Sequence, residues 1–177
     1  SDALVNFSWV HTFNSKLLLT VSPFYHYNAA RYDSLPTDVP VAASQDRSSN
    51  YGGGQASFSA NIAKNDFQAG LYSFYQTNNE SFGAIFSSDS ENPTAFVDSE
   101  RPTGSLVSFF LEDKFKPFSW LTLSAGMRPT HFSGNNGFSE SAISPRFSAA
   151  LTVPRLNWTF RGFYGQYYQA PPLVTAS

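Results

Sequence analysis

The 177-residue chain has no cysteine, one methionine and few charged residues. Without cysteine, disulfides, thiolate metal sites and cysteine nucleophiles are excluded. Charged residues make up 14% of the sequence, where a soluble domain has about a quarter. The net charge of −2 gives no indication of a nucleic-acid partner. No window approaches the ~20 apolar residues of a membrane-spanning helix, and the N-terminus shows no signal-peptide pattern.

Aromatic residues are abundant, at 17% of the sequence, and they follow a period of two. In 157–168, Trp158 and Phe160 fall on one side of the chain and Arg161 on the other, with Phe163 as the exception. A period of two predicts a strand with one apolar and one polar face.

The same alternation predicts eight strands and no helix. They are 3–13, 17–28, 55–63, 67–77, 105–115, 120–132, 142–153 and 157–168. Short turns (14–16, 64–66, 116–120 and 153–157) alternate with long polar loops (29–50, 78–103 and 133–141). This rhythm predicts four hairpins in one antiparallel up-and-down sheet. Strands of ~9–11 residues with short turns at one rim and long loops at the other are typical of membrane β-barrels.

The aromatic side chains are expected at two levels of this sheet. One group flanks the short turns and the other lies at the opposite strand ends. The first group is Phe13, Phe67, Phe115, Trp120 and Trp158, and the second includes Tyr25, Tyr27, Tyr75, Tyr164 and Tyr168. Such levels are typical of aromatic girdles at two membrane interfaces.

Five charged residues fall on the predicted polar face: Glu112, Lys114, Arg128, Arg146 and Arg161. A cation on a lipid-facing surface would cost ~2–4 kcal/mol near the membrane midplane. We therefore expect these side chains to face a wet lumen, either solvated or lining a ligand path.

Other polar patterns carry weaker chemical signals. The glycines of 51–55 lack the Gly-Lys-Ser/Thr of a phosphate loop, so we interpret them as the start of a strand. The histidines show no metal-ligand spacing; they are His11, His26 and His131. A cation site or a solvated outer loop would explain the acidic residues Asp89, Glu91, Asp98 and Glu100. No catalytic pair or triad is recognisable, so we expect no enzyme and no cofactor.

Segments 105–132 and 141–173 resemble the barrel of TonB-dependent outer-membrane receptors. An aromatic-rich strand is followed by an acidic pair, Lys-Pro, "LTLSAGMR", "SPR" and "YGQYYQAPPL". The matching positions are Glu112, Asp113, Lys116, Pro117, Leu121, Leu123, Gly126, Arg128, Ser144, Pro145, Arg146, Tyr164, Gly165, Ala170, Pro171 and Leu173.

The resemblance implies a Gram-negative outer-membrane receptor that imports a scarce nutrient of the siderophore, cobalamin or glycan class. Its partners would be the lipid bilayer or detergent, a plug domain, TonB and an unidentified small-molecule ligand. The family's large barrels have 22 strands, and no plug domain, TonB box or terminal aromatic strand is visible here. We therefore expect residues 1–177 to be an internal part of one transmembrane β-barrel domain.

Two alternatives remain open at this point: a complete eight-stranded outer-membrane barrel with a structural or adhesive role, and a soluble β-sandwich binding module. Unpaired edges are adhesive in water and intolerable in lipid. An open sheet should therefore stay within a larger chain, pair with a second copy, or close by joining 157–168 to 3–13.

Overall fold

The computed structural model describes residues 1–35, 41–86 and 94–170 and is all-β, as predicted. Its ten strands are β1 (Asp2–Asn6), β2 (Trp9–Asn14), β3 (Leu17–Asp33), β4 (Val41–Ile62), β5 (Asn65–Phe86), β6 (Thr94–Glu100), β7 (Thr103–Phe118), β8 (Leu121–Ser133), β9 (Ser139–Val153) and β10 (Trp158–Gly165). Two 3-10 turns lie at Asn135–Gly137 and Pro154–Leu156. Among the described residues, no helix is long and apolar enough to span a membrane.

The ten strands form one antiparallel sheet with eight positions, because two positions are each shared by two strands. β1 and β2 both pair with β3, and β6 and β7 both pair with β5. The first break lies opposite Pro23, whose carbonyl accepts from the Phe7 amide at 3.1 Å. Since proline has no N–H, it cannot return that hydrogen bond. Pro102 lies at the second break, between the end of β6 and the start of β7. Counted by position, the sheet confirms the prediction of eight strands in four hairpins.

Hairpin turns are tighter than the sequence suggests. The two-residue turns lie at 15–16, 63–64 and 119–120. Ala63 has φ 54° and Asn157 has φ 52°, both in the left-handed region. Asn tolerates this region better than most residues, whereas Ala is strained there.

Most of two predicted loops is strand. The predicted loop 29–50 contains the end of β3 and the start of β4, and 78–103 contains the end of β5 and all of β6. β4 and β5 therefore reach 22 residues each, about twice the ~9–11 needed for a membrane crossing. Alternation fails as a signal because both sides of these extensions carry polar residues. The glycine run of 51–55 consequently lies in the middle of β4 and does not start a strand.

The register assigns each residue to one of two faces, since directly paired residues share a face. The apolar face is defined by the row Leu19, Phe58, Ala69, Leu111 and Met127. The polar face is defined by the row Ser22, Gln55, Tyr72, Ser108 and Thr130.

Burial is inverted relative to a soluble protein. On the polar face Ser108 is 0% and Thr130 7% exposed, whereas on the apolar face Phe109 is 57% and Met127 53% exposed. A water-soluble sheet places apolar side chains in its core and leaves polar ones outside. The described residues also form one sheet and not two, so the β-sandwich alternative is wrong.

The two outer positions of the sheet are unpaired on one side. Within the described ranges, β10 pairs only with β9, while β1 and β2 pair only with β3. The ladder that would join 157–168 to 3–13 is therefore not formed, so self-closure, one of the three outcomes expected for these edges, does not occur in the described residues. The alternative of a closed eight-stranded barrel loses its support.

Candidate functional site

The five charged residues predicted for the polar face all share it by register. They pair across the sheet with Gly126 (Glu112), Ser124 (Lys114), Ser144 (Arg128), Gly165 (Arg146) and Ala150 (Arg161). Three of them, Glu112, Arg128 and Arg146, line a common groove of about 300 Å³ together with Gln55 and Gln68. The other two do not contribute to that groove.

Arg128 is held in place by a buried hydroxyl. Its Nε donates a 2.7 Å hydrogen bond to Oγ of Ser108. Ser108 is fully buried and its Oγ lies 2.9 Å from the hydroxyl of Thr130. The guanidinium carbon also lies 5.8 Å from the ring centroid of Tyr72, within cation–π range. Sequence reasoning identified Arg128 but missed Ser108, because this pairing depends on register.

An aromatic cluster extends the site across β3, β4 and β5. Phe24 stacks on Tyr51 at 5.1 Å, and Tyr51 lies 4.8 Å from Phe74. The hydroxyls of Tyr51 and Tyr72 are 2.8 Å apart. We call Phe24, Tyr51, Tyr72 and Phe74 the aromatic platform. Stacked aromatic rings on a face that also carries arginine can bind planar or ring-shaped ligands by apolar contact and stacking.

Gly53 makes the platform sterically feasible. It lies between Phe24 and Phe74 on the polar face. A Cβ at this position would be 2.2 Å from the carbonyl oxygen of Ser73 and 2.8 Å from Cα of Phe74. In the sequence, "PFYHY" (23–27) and "LYSFY" (71–75) each contain two aromatic residues at successive positions. Because neighbouring residues of a strand point to opposite faces, each segment must place at least one aromatic side chain on the polar face.

After β10 the chain leaves the ladder and packs over the polar face. The predicted strand 157–168 thus ends at Gly165. The amide of Gln166 donates to the carbonyl of Pro145 at 3.0 Å. Tyr167 places its ring 5.3 Å from the guanidinium carbon of Arg146. We call residues 166–170 the strap.

Tyr168 anchors the strap. It packs with Ala170 against the buried pair Leu106 and Phe132, and its hydroxyl donates to Glu140 at 3.1 Å. Burial, and then the neighbouring Glu140 carboxylate, raise the pKa of the Tyr168 phenol. Tyr168 therefore lies on the polar side, away from the apolar face on which a girdle residue would lie.

The other aromatics assigned to girdles lie on the apolar face or at its turns. By register Phe67, Phe115, Trp158, Tyr25, Tyr27, Tyr75 and Tyr164 belong to the apolar face. Phe13 contacts His11 of that face at 4.5 Å, and Trp120 stacks on Phe118 at 5.1 Å.

The histidines do not come together. Nε2 of His26 lies 2.6 Å from Asp2 and Nδ1 of His131 lies 2.9 Å from Ser141, while His11 stacks on Trp9. The part of the chain that the structure describes contains no group of three or more His, Asp or Glu residues able to hold a metal.

The acidic segment is only partly described. Asp98 and Glu100 lie in β6, while Asp89 and Glu91 fall outside the described residues. In the part of β5 beyond the predicted strand, Glu80 forms an ion pair with Arg47 of β4 and lies opposite Glu100 of β6.

Similar folds occur among solved transporters and receptors. The ferric citrate transporter FecA in its unliganded form matches with a TM-score of 0.58 and 17% identity, over 86% of this chain and 25% of that chain. BauA, the ferric preacinetobactin receptor of Acinetobacter baumannii, matches with a TM-score of 0.59 and 14% identity, over 85% and 28%. The RagAB peptide transporter matches with a TM-score of 0.59 and 18% identity, over 87% and 20%.

The chain thus spans between a fifth and somewhat more than a quarter of these structures. No curated protein matches the sequence. The profile of the family described as "TonB dependent receptor-like, beta-barrel" matches residues 1–176. With its open up-and-down sheet and its two chemically distinct faces, the chain belongs to the TonB-dependent receptor β-barrel family.

Proposed function

We propose that residues 1–177 are part of the transmembrane β-barrel domain of an outer-membrane receptor that imports a scarce nutrient. The inverted burial of the two faces carries this proposal. Exposed side chains such as Phe109 and Met127 suit lipid, and buried Ser108 and Thr130 suit a polar lumen. The unpaired edges suit a wall that continues into further strands of a larger barrel.

The nutrient belongs to the siderophore, cobalamin or glycan class. The aromatic platform together with Arg128 and Arg146 supports a ligand with planar or ring-shaped and polar parts. Two of the similar structures are named for ferric chelates and one for peptides. The partners would be a plug domain in the lumen, TonB as the energy source and the Gram-negative outer-membrane bilayer. The chain would have no catalytic role.

Two adjacent positions of β8 test the membrane topology. Ala125 lies on the apolar face and Ser124 on the polar face, and these 177 residues have no cysteine to interfere with labelling. Nitroxide spin labels are attached to Ala125→Cys and Ser124→Cys in the full-length receptor in bilayers. We expect the label at 125 to collide with dissolved oxygen and the label at 124 with an aqueous nickel chelate. Equal aqueous access at both positions would exclude the proposed topology.

Import is tested by uptake. Cells lacking the receptor should lose energised uptake of one labelled nutrient among a ferric siderophore, cobalamin and an oligosaccharide. A protonophore should abolish the same uptake in wild-type cells. Unchanged uptake of every nutrient in the deletion strain would contradict a role in import.

A further inference from the structure

A small cavity lies beneath the strap, next to the larger groove. It has a volume of about 130 Å³ and is lined by Arg128, Arg146, Thr130 and Ser144, with Tyr167 and Tyr168 of the strap over it. Arg128 pairs directly with Ser144, and Arg146 is two residues further along the same face. Long side chains at such diagonal positions reach the same space.

The two guanidinium groups lack acidic partners. Among the described residues no carboxylate lies within ion-pair distance of either arginine. Nε of Arg146 is buried without a hydrogen-bond partner. A buried charged donor without a partner is costly and rare in native proteins. Glu112, the acidic residue that lines the adjoining groove, accepts a hydrogen bond from Ser124 at 3.1 Å.

The donors suit an oxyanion. Guanidinium groups bind carboxylates and phosphates through paired N–H bonds, and the hydroxyls of Thr130 and Ser144 add donors at the cavity wall. Ser108 holds Nε of Arg128, which leaves the terminal nitrogens of Arg128 free to donate.

The size of the cavity restricts what enters it. A water molecule occupies about 30 Å³ of liquid, and pockets for drug-sized ligands begin at about 300 Å³. At about 130 Å³, the cavity holds one small acidic group with a little water and excludes an entire metal chelate.

We propose that Arg128 and Arg146, assisted by Thr130 and Ser144, bind one oxyanion group, a carboxylate or a phosphate, beneath the strap. The group belongs either to a free solute or to an acidic side chain elsewhere in the receptor. This proposal rests on the proposed function in so far as the polar face lines a lumen.

Arginine modification tests the free-solute source. The full-length receptor in detergent is treated with phenylglyoxal, and each arginine is followed by peptide mass spectrometry. At a phosphate concentration of about ten times its Kd, modification of Arg128 and Arg146 should slow about tenfold by mass action. Arg161, on the same face but outside the cavity, is the control and should not respond. Sodium chloride at equal ionic strength should protect none of the three.

Charge reversal tests the side-chain source. If phosphate has no effect, Arg146→Glu should lower the ratio of folded to unfolded receptor at least about tenfold more than Arg146→Gln, because it would face another carboxylate. Arg161→Glu and Arg161→Gln should differ little. The proposal is overturned if phosphate protects neither arginine and charge reversal costs no more at 146 than at 161. Neither measurement needs transport, so a failure here leaves the import proposal to be judged separately.

Discussion

Gly53 is the residue on which the aromatic platform depends most directly. We expect Gly53→Ala to destabilise the full-length receptor by about 1–3 kcal/mol, because the new methyl group would overlap the backbone of β5. Urea unfolding in detergent, followed by tryptophan fluorescence, measures the change.

Gly162→Ala is the matched control, since a Cβ there would meet no atom within 4 Å. It should leave the unfolding free energy unchanged or raise it slightly, because glycine weakens a strand interior. Equal destabilisation by both substitutions would show that the close approach at Gly53 is not what matters.

At the scale of single elements, the β4–β5 turn carries removable strain. Ala63 occupies the left-handed region at φ 54°, which costs an L-residue roughly 1–2 kcal/mol and glycine almost nothing. Ala63→Gly should therefore raise the unfolding free energy by up to about 1 kcal/mol after the loss of chain entropy is counted. The same substitution in a strand interior, Ala149→Gly, should have the opposite sign in the same assay.

The strap is the second element with a measurable signature. Burial and Glu140 raise the pKa of Tyr168, so the neutral phenol is favoured when the strap is docked. The stability that the docked Tyr168 phenol contributes is fully present below the unfolded pKa of about 10. It is lost as the pH rises through the raised pKa of the folded state. Absorbance titration at alkaline pH should show one late-ionising tyrosine fewer in Tyr168→Phe than in the wild-type receptor. Loss of a late-ionising phenol in Tyr164→Phe but not in Tyr168→Phe would contradict the docking.

At the scale of the whole molecule, the two faces should differ sharply in their tolerance of charge. Ala69→Arg puts a cation on the apolar face between Phe58 and Leu111, and should cost about 2–4 kcal/mol near the membrane midplane. Gln68→Arg puts the same cation on the polar face between Ser59 and Glu112, and should change stability by less than about 1 kcal/mol. Unfolding of the receptor in bilayers by denaturant distinguishes them. Similar costs at 68 and 69 would refute the assignment of faces.

Alternation alone is enough to predict the eight strand positions and the common face of the five charged residues named for the polar face. It succeeds for positions such as Arg128 and Arg146 because one side of each strand is apolar and the other polar. It fails for the extensions of β4 and β5, where both sides are polar. The platform and the Ser108–Arg128 contact require cross-strand register, which one sequence does not provide. Even across the short turn at 119–120, the β7–β8 register shifts between Phe115 and Phe118.

The pairing of the two sheet edges is also not determined by the sequence alone. A self-closing ladder between the ends of this chain is a reasonable expectation from edge chemistry. The sheet nevertheless remains open in the described residues. Edge chemistry identifies the need for a neighbour, but it does not say which strand supplies it.

The order of the strands also determines how the chain would respond to force. In the part of the chain that the structure describes, each ladder joins neighbouring positions and the strand order follows the sequence without a crossover. A pull on the C-terminal side would therefore release the hairpins one after another, beginning with β9–β10. That hairpin extends from Ser139 to Gly165 and would lengthen to about 90 Å when stretched. Single-molecule extraction from a bilayer should give a force–extension curve with one force peak for each hairpin.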